Sequence, residues 1–153
     1  MIGRCAGLML AALFMAGLLA CSKPLTVEQQ IIAVIREMET RIENAERRPF
    51  MSHVAVNFNG QNGLLNRDEL QRFVILQLNQ HQRLHAQLMP IHVSETGENT
   101  ASASFRALIT GGPNWIQDSG QIYDFETHWV RQDDEWMLLG ANWTPTALEK
   151  ALY

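Results

Sequence analysis

Residues 121–131 alternate Tyr123, Phe125, Thr127 and Trp129 with Asp124, Glu126 and His128, the two-residue period of a strand with unlike faces. Asp124 and Glu126 are the acids placed well inside a predicted strand, and a buried carboxylate with a raised pKa is what proton abstraction needs. If the aromatic side chains line the interior, both acids face away from it. The row Arg106, Asp124, Glu126 and His128 then reads as a solvated or partner-facing surface, with Arg106 as a cross-strand partner. A register shift of one residue would turn the acids inward.

Gln77 and His81 are the other chemistry-bearing pair. Stepped at 100° per residue, they fall in the middle of an apolar helical stripe, where an unpaired polar group costs about 1–3 kcal/mol. Either internal hydrogen bonds or water satisfy them, or the helix ends earlier and leaves His81 exposed, or they are pocket candidates, with the Tyr123 hydroxyl as a third polar group. His81 and His85 have the i,i+4 spacing of metal ligands, but no third ligand accompanies them and the acid of a zinc-protease signature is missing. No metal and no cofactor is expected. Residues 57–68 carry oxygens at Asn57, Asn59 and Gln61 but lack the carboxylates and central glycine of a calcium loop. Ser102 and Ser104 lack a nucleophile-elbow setting, and no glycine-rich phosphate loop precedes a helix.

The elements that must position these groups begin at Thr26, which with Gln29 forms a capping box. Val27, Ile31, Val34, Ile35, Met38 and Ile42 then recur at helical spacing. Glu37 with Arg41 and Glu43 with Arg47 are expected i,i+4 pairs, and Pro49 is expected to stop or bend the helix. After the turn-rich Asn59-Gly60-Gln61-Asn62-Gly63, a second helix starts at Asn66, capped with Glu69. Leu70, Phe73, Val74, Leu78 and Leu84 mark its buried side as far as the pattern persists. From about Leu84 the chain turns to strands, with Met89-Pro90 as a bulge or edge feature. Strands over 91–95 and 100–110 flank the turn Thr96-Gly97-Glu98-Asn99. Gly111 to Asn114 opens a loop carrying Trp115 and Ile116, and strands over 121–131 and 136–143 flank residues 132–135. Thr144-Pro145 can open a short terminal helix. Helices followed by an antiparallel meander give an α+β fold, with the helices packed on a strongly curved antiparallel sheet.

The amino end carries its own chemistry. Arg4 is followed by 16 uncharged residues from Cys5 to Ala20, short of the roughly 20 that span a bilayer. Leu18-Leu19-Ala20-Cys21 resembles the lipobox of bacterial lipoproteins, which implies a signal peptide over 1–20, lipid on the sulfur of Cys21, and a tether over 21–25. Ser22, rather than Asp, after Cys21 resembles the outer-membrane sorting outcome, facing the periplasm. Removing residues 1–20 leaves 133 residues, enough for one domain. It also leaves 11 basic against 16 acidic side chains, a net charge of −5 that disfavours nucleic acid. Cys5 goes with the signal and Cys21 is consumed by lipid, so no thiol remains for a disulfide.

The order of elements resembles the nuclear transport factor 2-like fold, also called the ketosteroid isomerase-like or cone-shaped fold. Phe58-Asn59-Gly60 through Gly63-Leu64 before a helix, Ala101-Ser102-Ala103-Ser104-Phe105, and Trp136 with Ala141 and Trp143 carry the likeness, over about residues 26–144, with 145–153 as a short helix or tail. The resemblance implies a conical pocket, which in enzymes of the family holds an Asp or Glu base. With no inward acid placed, the expectation is a membrane-anchored, non-catalytic binding or accessory module. Its pocket of Phe73, Phe105, Tyr123, Phe125, Trp129 and Trp143, with Gln77 and His81 as polar handles, suits a small apolar ligand. The alternatives are an isomerase- or dehydratase-like enzyme using a pocket acid or His81 as base, and an envelope protein that forms a homodimer or docks a partner through its outer sheet face.

Overall fold

The computed structural model describes residues 24–81, 84–111 and 120–146. The signal, Cys21 and its tether up to residue 23, the Trp115-Ile116 loop and residues 147–153 of the expected terminal helix lie outside them; Thr144 and Pro145, expected to open that helix, are strand instead. Among the described residues no helix is long and apolar enough to cross a membrane.

Helix α1 (Val27–Glu43) begins as its capping box requires: Thr26 Oγ1 accepts from Gln29 N at 3.2 Å and Gln29 Oε1 accepts from Thr26 N at 3.1 Å. The cap satisfies two amides that the first turn leaves without helical partners. Thr26→Ala is expected to lower the unfolding free energy by about 1 kcal/mol in urea titrations. The apolar stripe buries Ile31, Ile35 and Met38.

The helix stops earlier than Pro49. Ala45 adopts φ 56°, a left-handed conformation that ends the α1 hydrogen-bond ladder. A new helix, α2 (Arg47–Ser52), then holds Pro49 as its third residue. Amides of a first turn have no helical partner to lose, so proline is harmless there. The early stop also redirects Glu43. Instead of pairing with Arg47, its Oε1 accepts from the backbone N of Ala86 at 2.9 Å.

Glu37 does pair with Arg41, at 3.0 Å, and faces His53 Nε2 at 3.6 Å. The Arg41 hydrogen bond holds the Glu37 carboxyl below its ordinary 4.5, against a smaller opposing push from burial and with further help from His53. A depressed carboxylate adds stability above its unfolded pKa and loses it as pH falls through the lower folded value. Glu37→Gln is therefore expected to lower stability slightly at neutral pH and to converge with the wild type as pH falls below about 4.5, which flattens the acid limb of a stability-against-pH curve.

A short antiparallel pair, β1 (Asn59–Gly60) and β2 (Leu65–Asn66), encloses a 3-10 turn, Gln61–Gly63. Gln61 reaches across it so that its side-chain amide donates to Trp143 O at 3.1 Å and accepts from Trp143 N at 3.3 Å. Helix α3 (Arg67–Gln80) follows, with Asn66 and Glu69 forming the expected capping box. Arg67 at its start donates to Met51 O at 3.0 Å and Val54 O at 3.2 Å, tying α3 to the end of α2.

The helix ends at Gln80 with His81 extended at φ −115°, ψ 114°, and Leu84 already belongs to a strand. The apolar period of α3 thus does not continue through His81. The strands β3 (Leu84–Leu88), β4 (His92–Gly97), β5 (Thr100–Gly111), β6 (Gln121–Gln132) and β7 (Glu135–Pro145) form one antiparallel sheet. Its order is β3-β5-β6-β7, with β4 also on β5. β3 pairs with 107–111 and β4 with 100–104, so both share one edge of β5 and are parted at Met89-Pro90.

Register places Ala103 opposite Thr127, Phe105 opposite Phe125 and Phe125 opposite Trp143 on the face that meets the helices. Between that face and α1 to α3 lies the core, in which Ile31, Val54, Ala101, Trp129 and Leu138 are among the buried side chains. Val54 bridges Leu138, and Leu138 N donates to His53 O at 2.8 Å, which closes the helical layer onto β7. The fold is α+β, helices on a curved antiparallel sheet, as the sequence pattern predicts.

Candidate functional site

The core does not fill the space between sheet and helices. A cavity of about 460 Å³ remains, walled by the inner face of β3, β5, β6 and β7 and by α1 and α3. Its sheet wall is aromatic because odd-numbered residues of β5 and β6 point inward and meet across the register. Phe105 stacks on Phe125 with centroids 5.1 Å apart and planes at 8°. Phe125 continues to Trp143 at 6.3 Å, and Trp143 to Phe73 of α3 at 5.6 Å. Tyr123 tilts against Phe125 at 6.4 Å and 59°. Such a wall offers flat, apolar contact area with few rotamers to fix on binding.

At the buried end, Trp129 Nε1 donates to Thr127 Oγ1 at 2.9 Å, and Thr127 Oγ1 donates to Ala103 O at 2.9 Å. Both side chains are buried and their polar groups are satisfied within the protein, so this end presents no open hydrogen-bonding group. Phe73, 38% exposed, stands where the cavity meets solvent.

Seven of the eight pocket candidates therefore meet around one cavity: Phe73, Gln77, Phe105, Tyr123, Phe125, Trp129 and Trp143. His81 does not line it. Because α3 ends one residue earlier, the His81 ring lies against Gly111 at the end of β5, where a Cβ would come within 2.7 Å of its Nδ1. The helical spacing of His81 and His85 is lost for the same reason, since His85 lies in β3.

Arg106, Asp124, Glu126 and His128 lie on the opposite sheet face, paired across strands with Asp124, Arg106, Ser104 and Ser102 respectively. Asp124 is fully engaged there, accepting from Arg106 Nε at 3.1 Å and from Thr146 Oγ1 at 2.8 Å. Neither Asp124 nor Glu126 reaches the cavity.

Two ionisable residues that the periodicity argument passed over stand at it, Glu39 on the wall from α1 and His85 at the edge strand β3, where its half-exposed side chain alternates with the inward Ala86. Ile35, Met38, Glu39 and Ile42 are spaced i, i+3, i+4, i+7, so Glu39 occupies a place on the apolar face that an aliphatic side chain would ordinarily hold. Its side chain is only 15% exposed, and its Oε2 accepts from Arg36 Nη1 at 3.0 Å. One turn on, Glu43 holds the Ala86 amide and faces His85 Nδ1 at 3.8 Å. The signal was present in the sequence, as an acid inside an apolar i,i+4 pattern.

No protein-family model matches the chain, and no curated protein matches it. Solved structures do. An NTF2-like protein of unknown function from Pseudomonas putida superposes with a TM-score of 0.67 at 12% identity, covering 83% of this chain and 94% of that one. A protein with a cystatin-like fold from Caulobacter vibrioides gives 0.67 at 16%, covering 80% and 92%. Bd1075 of Bdellovibrio bacteriovorus gives 0.68 at 8%; the match covers 78% of this chain and 41% of Bd1075. At such identities the likeness establishes the fold: this chain has the NTF2-like, cystatin-like architecture.

Proposed function

We propose that the chain is a lipid-anchored protein of the bacterial envelope whose cone binds a small apolar ligand without transforming it. The observation that carries the binding reading is the cavity itself, about 460 Å³, enclosed mainly by aromatic and aliphatic side chains and within the size range of small-molecule sites. A packed protein interior leaves few voids larger than a water molecule, so a space of this size invites an occupant. Thermal-shift screening with naphthalene-sized apolar compounds is expected to raise the melting temperature of the wild type. Ala86→Trp, which places an indole in the cavity from β3, is expected to remove the shift while leaving the fold intact. Absence of any stabilising compound would sink the binding reading.

The anchoring part rests on the lipobox-like Leu18-Leu19-Ala20-Cys21. Metabolic labelling with a fatty-acid analogue should tag the protein, and Cys21→Ala should abolish the tag; persistent labelling of the variant would refute it. The absence of Asp after Cys21 supports the outer membrane, periplasmic side, as the address.

One observation favours a second reading, an isomerase- or dehydratase-like enzyme. Glu39 lines the apolar cavity and His85 stands half exposed at its edge, and general-base chemistry draws on such groups. Proton exchange from an activated carbon acid in deuterated water, lost in His85→Gln or Glu39→Gln, would favour it over simple binding.

A further inference from the structure

Glu39 is a carboxylate set into an otherwise apolar wall, and its partner does not neutralise it fully. Arg36 touches one oxygen only, at 3.0 Å, and its own side chain is 49% exposed, so water screens that pair. Among the described residues no group donates to the other oxygen, Oε1. Oε1 is not sealed from solvent, so it stands open as an acceptor that a donor on a bound molecule could reach in place of water. The remaining charges at this side of the cavity do not supply one. Glu43 is a second acid, its Oε1 already committed to the Ala86 amide, and His85 turns its Nδ1 towards Glu43 rather than Glu39.

We propose that Glu39 sets the ligand class of the cavity: an apolar, preferably aromatic body carrying a single ammonium or comparable donor head, which gives its proton-bearing nitrogen to Glu39 Oε1. The proposal rests on the binding reading above and adds to it a polarity and a sign. The aromatic wall of Phe105, Phe125 and Trp143 takes the body, and Glu39 takes the head. A carboxylate-headed ligand of the same shape is disfavoured, because it would bring a second negative charge beside Glu39 and Glu43 in a poorly hydrated space. A neutral alcohol head lies between, able to donate but without charge.

The test uses three probes with one body: naphthylmethylamine, naphthalenemethanol and naphthoate, titrated calorimetrically into the purified protein near neutral pH. The wild type is expected to bind the amine about tenfold more tightly than the alcohol, and the carboxylate least. Glu39→Gln is expected to remove the preference for the amine while retaining the alcohol, which also shows that the variant is folded. Arg36→Gln, which frees Glu39 from its competitor, is expected to widen the preference.

Alcohol binding with no advantage for the amine in the wild type would overturn the assignment and leave the cavity reading standing. So would an amine preference that survives Glu39→Gln, since that would place its origin in cation–π contact with the aromatic wall. If none of the three binds, this proposal and the binding reading fall together.

Discussion

Trp129→Ala is expected to cost about 3–5 kcal/mol of stability, read as a lower midpoint in urea unfolding followed by circular dichroism. Three losses combine. The indole is 2% exposed and fills the buried end of the cone, so its removal gives up a large transfer free energy. The vacated space opens directly onto a cavity of about 460 Å³, so the neighbours have little to collapse against. Thr127 Oγ1 also loses the indole N–H that it accepts at 2.9 Å. Trp129→Phe separates these terms, keeping most of the ring and removing the donor, and is expected to cost markedly less. An alanine variant within 1 kcal/mol of the wild type would show that this end of the cone contributes little to stability.

Gly140→Val should be the second most damaging substitution, at about 1–3 kcal/mol or more. β1 and β7 touch through backbone: a Cβ on Gly140 would stand 2.8 Å from Asn59 O, and one on Gly60 would stand 2.9 Å from Ala141 O. A carbonyl oxygen in a paired strand cannot swing aside as a side-chain end can, so β1 itself must move. Because Gln61 follows β1 directly, its two bonds to the Trp143 backbone would be strained at the same time. Gly97→Ala is the fitting control. Its Cβ would meet only the Thr100 hydroxyl, at 2.7 Å, in an exposed hairpin, and a smaller loss of melting temperature is expected. Equal losses for the two variants would contradict the backbone-clash account.

The elements were legible where local chemistry and period agree. Both capping boxes, Thr26 with Gln29 and Asn66 with Glu69, start helices where the sequence predicts. The alternation of residues 121–131 predicts which side chains meet across the sheet, because a period of two leaves only two faces to choose between. Helix ends were less legible, because tertiary partners set them. Ala45 turns left-handed with no glycine to announce it, and the polar run after Leu78 carries no stop signal before His81.

The cavity illustrates the same division. Its aromatic wall follows from strand period, but its carboxylate does not follow from charge pairing. Glu39 reads as one more solvated acid of a helix rich in acids until its spacing from Ile35 and Ile42 is taken together with the face that those residues bury. Glu43 misleads similarly: Arg47 stands four residues on, yet the sheet edge offers the carboxylate an amide that the early end of α1 makes the nearer partner.

That contact and the Gln61 clasp share a consequence for life at high local concentration. β3 and β4 form one margin of the sheet and β7 the other. An outer strand with free amides and carbonyls is a template on which another chain can add, the first step towards fibrous aggregates. Glu43 occupies the Ala86 amide on one margin, and the Gln61 side chain imitates a neighbouring strand at Trp143 on the other. Two side chains drawn from the helical layer and its loop thus make β3 and β7 poorer templates for recruiting further copies.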